Sequence, residues 1–282
     1  MSNVQKYYLP EPTPWPILGC SALLVMAVGA AAWVNRAAPG PWLLAAGAAL
    51  LLIMLIGWFS TVVRENNAGL LNNGQVDASF RYAMAWFIFS EVMVFAALFG
   101  ALFYLRVLSV PDLASGQSAP LWPGFKGGWP TAGPLPEGTF SPMVAWGVPA
   151  LNTIILLTSG AIVTWANFAI ARGERGRFKL ALLLTILLGV LFLCMQASEY
   201  HHALTRQNLS LASGPYGATF FVLTGLHGIH VLIGTTILIF ILARALRGQF
   251  TPEHHFAFTA ASWYWHFVGV LWLFLFVLVY CL

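Results

Sequence analysis

The stretch from Arg81 to Arg106, RYAMAWFIFSEVMVFAALFGALFYLR, constrains this chain more than any other. Arginines mark both ends, and about 24 almost wholly apolar residues lie between them at a helical rise of ~1.5 Å each. That is enough to cross a hydrocarbon core of ~30 Å. One ionisable side chain, Glu91, sits inside, ten residues from Arg81 and so ~15 Å deep. A carboxylate at that depth costs roughly 3 kcal/mol or more. Three arrangements meet that cost: a protonated carboxyl, a hydrogen bond to another helix, or a place on a proton or ligand path.

Composition extends this reading to the whole chain. Only 8% of the 282 residues are charged and 59% are hydrophobic, whereas a soluble domain carries ~25% charge. The chain reads as an integral membrane protein. No basic cluster lies on a soluble face, which argues against nucleic-acid binding. Cys20, Cys194 and Cys281 stand singly in apolar segments, without CxxC, zinc or haem-attachment spacing, and read as small core residues. The N-terminal MSNVQKYYLPEPTPWP is polar and proline-rich without a signal-peptide pattern, so the first span is expected to be retained.

The pattern predicts a single all-α membrane domain over 1–282 with seven transmembrane helices. They run at about 16–34, 42–63, 81–106, 143–171, 178–202, 215–243 and 256–281. The prolines at 10, 12, 14 and 16 keep the lead-in irregular. Residues 109–141, rich in Gly and Pro, read as an ordered surface loop. Seven spans put the termini on opposite sides. Nine Lys and Arg fall on the side of the N-terminus (Lys6, Arg64, Arg81, Arg172, Arg175, Arg177, Lys179, Arg244, Arg247) and four on the other (Arg36, Arg106, Lys126, Arg206). The positive-inside rule therefore predicts a cytoplasmic N-terminus and a periplasmic C-terminus.

The polar residues of the spans form a small constellation. His227, His230 and His266 fall within a turn or two of the depth of Glu91, and His227 and His230 are three apart, on one helix face. An imidazole that meets Glu91 across a helix interface satisfies both groups. Haem or copper ligation is the competing reading of these histidines, and satisfied core histidines the plainer one. His201-His202 and His254-His255 lie at span ends as solvated or capping groups. Glu199 lies near the outer end of its span with Gln196 and Tyr200 as expected partners. The fourth span is rich in small and hydroxyl residues: Thr153, Thr158, Ser159, Gly160 and Thr164. The lysines, at 6, 126 and 179, lie at ends or in loops, which excludes a retinal protein. No GxxxxGK loop, nucleophile elbow or HExxH occurs, so no soluble-type catalytic site is expected.

Several stretches in order resemble subunit III of cytochrome c oxidase, of the aa3-type haem-copper oxidases. They are PTPWPILG, Arg64-Glu65, Arg81-Tyr82 with FSEVMVF, LNTIILLTSGAIVTWA, QASEY, YGATFFVLTGLHGIHVLIGT and HHFAFTAASWYWHFV with GVLWLFLF. The resemblance implies helices 1–2 splayed from a bundle of helices 3–7, with phospholipid in the cleft. It implies an accessory subunit of a proton-pumping terminal oxidase that passes electrons from cytochrome c to O2 in a bacterial cell membrane. On that reading the chain holds no redox centre, haem and copper sit in partner subunits I and II, and cytochrome c meets the complex alone. The chain supports subunit I through packing, lipid and sustained proton uptake. The family's carbodiimide-reactive buried carboxylate maps to Glu91. Lipid headgroup contacts map to Arg64, Glu65, His230, Arg244 and Arg247. Family members often carry Asp after HFV, where this chain has Gly269. A stand-alone transporter or proton channel using Glu91 and the histidines is the alternative.

Overall fold

The computed structural model describes residues 12–69, 74–134 and 140–282. Residues 1–11, with Lys6 and most of the lead-in, therefore lie outside the described residues, as do 70–73 and 135–139 in the polar connections. Among the described residues every regular element is helical, and seven helices are long and apolar enough to cross a membrane. They are α1 (Trp15–Val34), α2 (Gly40–Asn67), α3 (Gly74–Phe103), α5 (Val148–Ala171), α6 (Arg175–Arg206), α7 (Gly214–Leu246) and α8 (Phe256–Leu275). The short α4 (Val110–Leu113) continues α3 beyond a π-helical stretch, Tyr104–Ser109, and a second such stretch, Phe276–Cys281, prolongs α8.

Proline opens several spans and glycine closes them. Pro16, Pro41, Pro149 and Pro215 occupy the first turns of α1, α2, α5 and α7, where a missing N–H costs nothing. Gly173 and Gly248 follow α5 and α7 with φ of 73° each, the left-handed conformation that lets the next N–H groups turn back onto the last carbonyls. Four spans reach further than their apolar cores, α2 among them, which runs on to Asn67. α3 starts at Gly74, well before Arg81, because Asp77 in its first turn complements the helix dipole and pairs with Arg81 at 2.7 Å. α6 runs out to Arg206, and α7 to Leu246. α5 starts only at Val148, since Gly147 takes φ 150° and Pro149 follows. The long loop holds α4 and a 3-10 turn, Ala119–Leu121.

The chain divides into two compact units, Met1–Tyr82 and Ala83–Leu282. In the first, α1 and α2 form a hairpin whose backbones meet at small residues. A Cβ on Gly29 would stand 2.5 Å from the Leu44 nitrogen, and one on Gly47 2.6 Å from Met26 Cγ. Without a hydrophobic drive between helices in lipid, such close approach supplies the attraction. In the second unit α5 packs on α6, α6 on α7, α7 on α8 and α8 back on α5. Trp265 of α8 occupies the centre, 2% exposed, against Gly189 of α6 and Gly234 of α7. The three cysteines are not core residues as their apolar surroundings suggest: all are exposed on the chain's own surface. In a bilayer the outside of a span is as apolar as its inside, so apolar neighbours do not signal burial.

The hydroxyl residues of α5 make a ladder to α8. Trp265 Nε1 donates to Ser159 Oγ at 3.0 Å, and Trp272 Nε1 to Thr153 Oγ1 at 2.9 Å. Asn167 Nδ2 donates to Ser262 Oγ at 2.7 Å. Ser159 and Thr153 send their own hydrogens to the carbonyls of Leu156 and Pro149, leaving lone pairs for the indoles. Ser159→Ala should therefore strand the Trp265 N–H and cost about 0.6–2 kcal/mol. A lowered thermal midpoint of the purified protein, with unchanged helix content by circular dichroism, is the expected result.

Candidate functional site

Glu91 meets an imidazole from another helix. His230 Nε2 lies 2.9 Å from Glu91 Oε2, joining α3 to α7. His230 stands at the middle of α7, equally far from Gly214 and Leu246. The pair is largely buried, with side chains 9% and 22% exposed for His230 and Glu91. Phe95 of α3 lies edge-on to the imidazole at 5.2 Å, and the Tyr264 ring of α8 stacks at 6.4 Å.

The geometry sets the proton inventory of this pair. His230 Nδ1 is 2.7 Å from the Leu226 carbonyl, one turn back. A carbonyl has no hydrogen to give, so Nδ1 carries the N–H and donates. The remaining bond, Nε2 to Glu91 Oε2, then needs one hydrogen. Either a neutral imidazole accepts from a carboxylic acid, or an imidazolium donates to a carboxylate. In both forms the pair holds one shared proton and is neutral as a unit, the form a membrane interior tolerates.

The other histidines are also committed to protein partners. His227 is fully buried, and its Nε2 donates to the Val268 carbonyl of α8 at 3.2 Å. The Phe192 ring of α6 and the Trp272 ring of α8 flank it at 5.7 and 5.1 Å. His227 and His230, three apart, thus serve different neighbours: one residue step on a helix turns ~100°, so three leave ~60° between them. His266 Nε2 lies 3.2 Å from Thr164 Oγ1, whose hydrogen goes to the Gly160 carbonyl, so the imidazole donates. His201 and His202 are exposed at the end of α6, while His255 Nδ1 donates to the Thr251 carbonyl at 3.2 Å, just before α8. Among the described residues no group of three His, Cys, Asp or Glu could hold a metal ion.

The remaining expected residues belong to α2, α6 and α7. Arg64 and Glu65 lie at the end of α2, with Arg64 exposed and its guanidinium 3.3 Å from Thr61 Oγ1. Arg244 and Arg247 lie at the end of α7. Arg247 is exposed; Arg244 is not, because its Nε donates to Gln249 Oε1 at 2.8 Å and its guanidinium lies 4.9 Å from the Phe250 ring centre. His230 is set apart from Arg244 and Arg247 by its mid-helix depth on α7 and by having both ring nitrogens engaged. Glu199 is buried but not joined to Tyr200, whose hydroxyl lies 2.6 Å from Thr224 Oγ1. Consecutive helical residues point ~100° apart, so Tyr200 faces α7 while Glu199 faces Tyr280 at the end of α8. Tyr280, Gln249 and Phe250 carried no sequence signal, since each acts only through a neighbour brought in by folding.

Fold and site together define a multi-pass helical membrane protein built around a buried carboxyl–imidazole pair. The chain matches the family model of cytochrome c oxidase subunit III over residues 5–282. It is 40% identical over 278 residues to cytochrome c oxidase subunit 3 of Cyprinus carpio, covering 99% of this chain and 97% of that one. With those of Scyliorhinus canicula and Tetraodon nigroviridis it shares 41% over 278 and 282 residues, at the same coverage. The chain belongs to the cytochrome c oxidase subunit III family and is a subunit of a terminal oxidase.

The Glu91–His230 bond generates a contrast between two variants. In Glu91→Gln the new amide N–H donates to His230 Nε2, so assembly and most oxidase turnover should persist. Glu91→Leu leaves that nitrogen buried and unmatched, at about 1–3 kcal/mol. Thermal midpoints and turnover of the two purified complexes check this; equal loss in both would remove the hydrogen bond from the account.

Proposed function

We propose that this chain is a non-catalytic subunit that sustains turnover of a proton-pumping oxidase core through helix packing, bound phospholipid and steady proton uptake. The observation that carries the reading is the match to subunit III over nearly the whole chain. A second supports it. Every mid-membrane histidine has a ring nitrogen committed to a protein partner. That is the behaviour of a structural core rather than of a ligand set, and it leaves haem and copper to partner subunits I and II. Cytochrome c then meets the assembled complex and not this chain.

Phospholipid headgroups belong, on this reading, to the helix ends rich in arginine: Arg64 and Glu65 on α2, Arg244 and Arg247 on α7. Arg244 is braced by Gln249 and Phe250 with its guanidinium held in one orientation. A braced guanidinium loses less entropy when it binds a phosphate. The basic side of the protein faces the cytoplasm of a bacterium, with the N-terminus on that side. The vertebrate origin of the relatives named above favours a mitochondrial membrane as the second setting, with the same side facing the negative compartment.

Two experiments test this. Gentle purification through a tag on this chain should bring down two larger partners with a haem a-type optical spectrum; a colourless solitary chain would favour a stand-alone transporter, for which proton flux in liposomes is the assay. Arg244→Ala should weaken headgroup binding by on the order of 1 kcal/mol, about five-fold. Lower phospholipid content and a shorter active lifetime of the complex are expected, and no change in either speaks against the lipid role.

A further inference from the structure

A second set of polar side chains is buried in the bundle, apart from the Glu91–His230 pair. Asn152 of α5, Gln196 and Glu199 of α6, and Tyr280 beyond α8 are 0, 5, 3 and 7% exposed. Both amide groups, both carboxyl oxygens and the hydroxyl have no hydrogen-bond partner among the described residues. The four side chains stand at similar height. Asn152 lies just after the first turn of α5, whose far end is Ala171. Gln196 and Glu199 lie in the last third of α6, which starts at Arg175, and Tyr280 lies past the end of α8, which starts at Phe256. Measured from Ala171, Arg175 and Phe256 at ~1.5 Å per residue, all four are ~28–36 Å from the basic ends of their helices, in the half of the bundle away from those ends. The Tyr280 hydroxyl faces both the Glu199 carboxyl and the Gln196 amide without reaching hydrogen-bond geometry.

The chemistry of these unmatched atoms selects the occupant. Two amide nitrogens and a hydroxyl need acceptors, and the four other oxygens need donors. A metal cation would serve the oxygens and leave the amide hydrogens stranded. Water serves both, and a buried water makes about three hydrogen bonds, so two or three waters match the set. Tyr280 is the titratable group that faces Glu199, while Tyr200 of α6 and Tyr216 of α7 feel its charge from further off. Tyr200 is engaged by Thr224, and the Tyr216 hydroxyl accepts the Met143 N–H at 3.1 Å. His227 stands at the same height on α7, ~28 Å from the basic end at Leu246, with Nδ1 also unmatched. No Arg, Lys or His forms a salt bridge to Glu199 among the described residues.

We propose that Asn152, Gln196, Glu199 and Tyr280 enclose a site for two or three ordered waters, and that Glu199 gains and loses a proton through them. The site goes beyond the family role and is independent of the lipid contacts. A density map of the intact oxidase complex at water-resolving resolution tests the first part. Peaks should lie within about 2.6–3.2 Å of at least three of the four side chains. Direct bonds among the side chains with no peak between them overturn the proposal, as does a peak ringed by oxygens alone. Infrared spectra of the complex in H2O and D2O test the second part. A carboxylic-acid C=O band absent in Glu199→Gln, and still present in Glu91→Gln, should shift on solvent exchange. A band that does not shift, or no band lost in Glu199→Gln, overturns the proton role. The map uses the unaltered protein and so holds even where the variant fails to assemble.

Discussion

The bundle depends on one constraint: inside a membrane a buried donor has no water to fall back on. The α5–α8 ladder is the response. Thr153, Ser159 and Thr164 of α5 each spend their hydrogen on their own helix and turn a lone pair toward a donor of α8. The indoles at 265 and 272 are two helical turns apart, so they lie on one face of α8 and both reach α5. Their rings meanwhile fill the space against Gly189, Gly234 and Phe192. Packing and hydrogen bonding are thus done by the same side chains, and the glycines are small because the indoles are large.

The same constraint explains the Glu91–His230 pair. α3 contributes a residue that no membrane helix carries cheaply, and α7 supplies the group that shares its proton. The Leu226 carbonyl holds the imidazole in one tautomer, and Phe95 and Tyr264 enclose it. The pair therefore fastens α3 to the bundle without placing net charge in the hydrocarbon. Its depth separates it from Arg244 and Arg247 at the end of α7.

Much of this was legible along the chain. The apolar runs predict the seven spans, Glu91 and the histidines declare themselves by depth, and the hydroxyls of the fourth span mark a face that binds another helix. The misreadings share a cause. Helix ends at Gly74 and Arg206 extend past the apolar runs because amphipathic turns in the headgroup region keep the helix while losing the hydropathy. The cysteines read as core because a lipid-facing surface is as apolar as an interior. Tyr200 reads as the partner of Glu199 because it is adjacent in sequence, whereas adjacency on a helix separates side chains.

The sequence by itself determined the number of crossings, the sidedness of the charge and the inventory of buried polar groups, because these follow from lengths and residue types against a bilayer of known thickness. Tertiary structure alone decided who meets whom. That Glu91 finds His230 rather than His227, that Trp265 finds Ser159, and that Tyr280 comes to face Gln196 and Glu199 are set by rotations of packed helices. A rotation of one residue, ~100°, reassigns every such contact while leaving the hydropathy of each span unchanged.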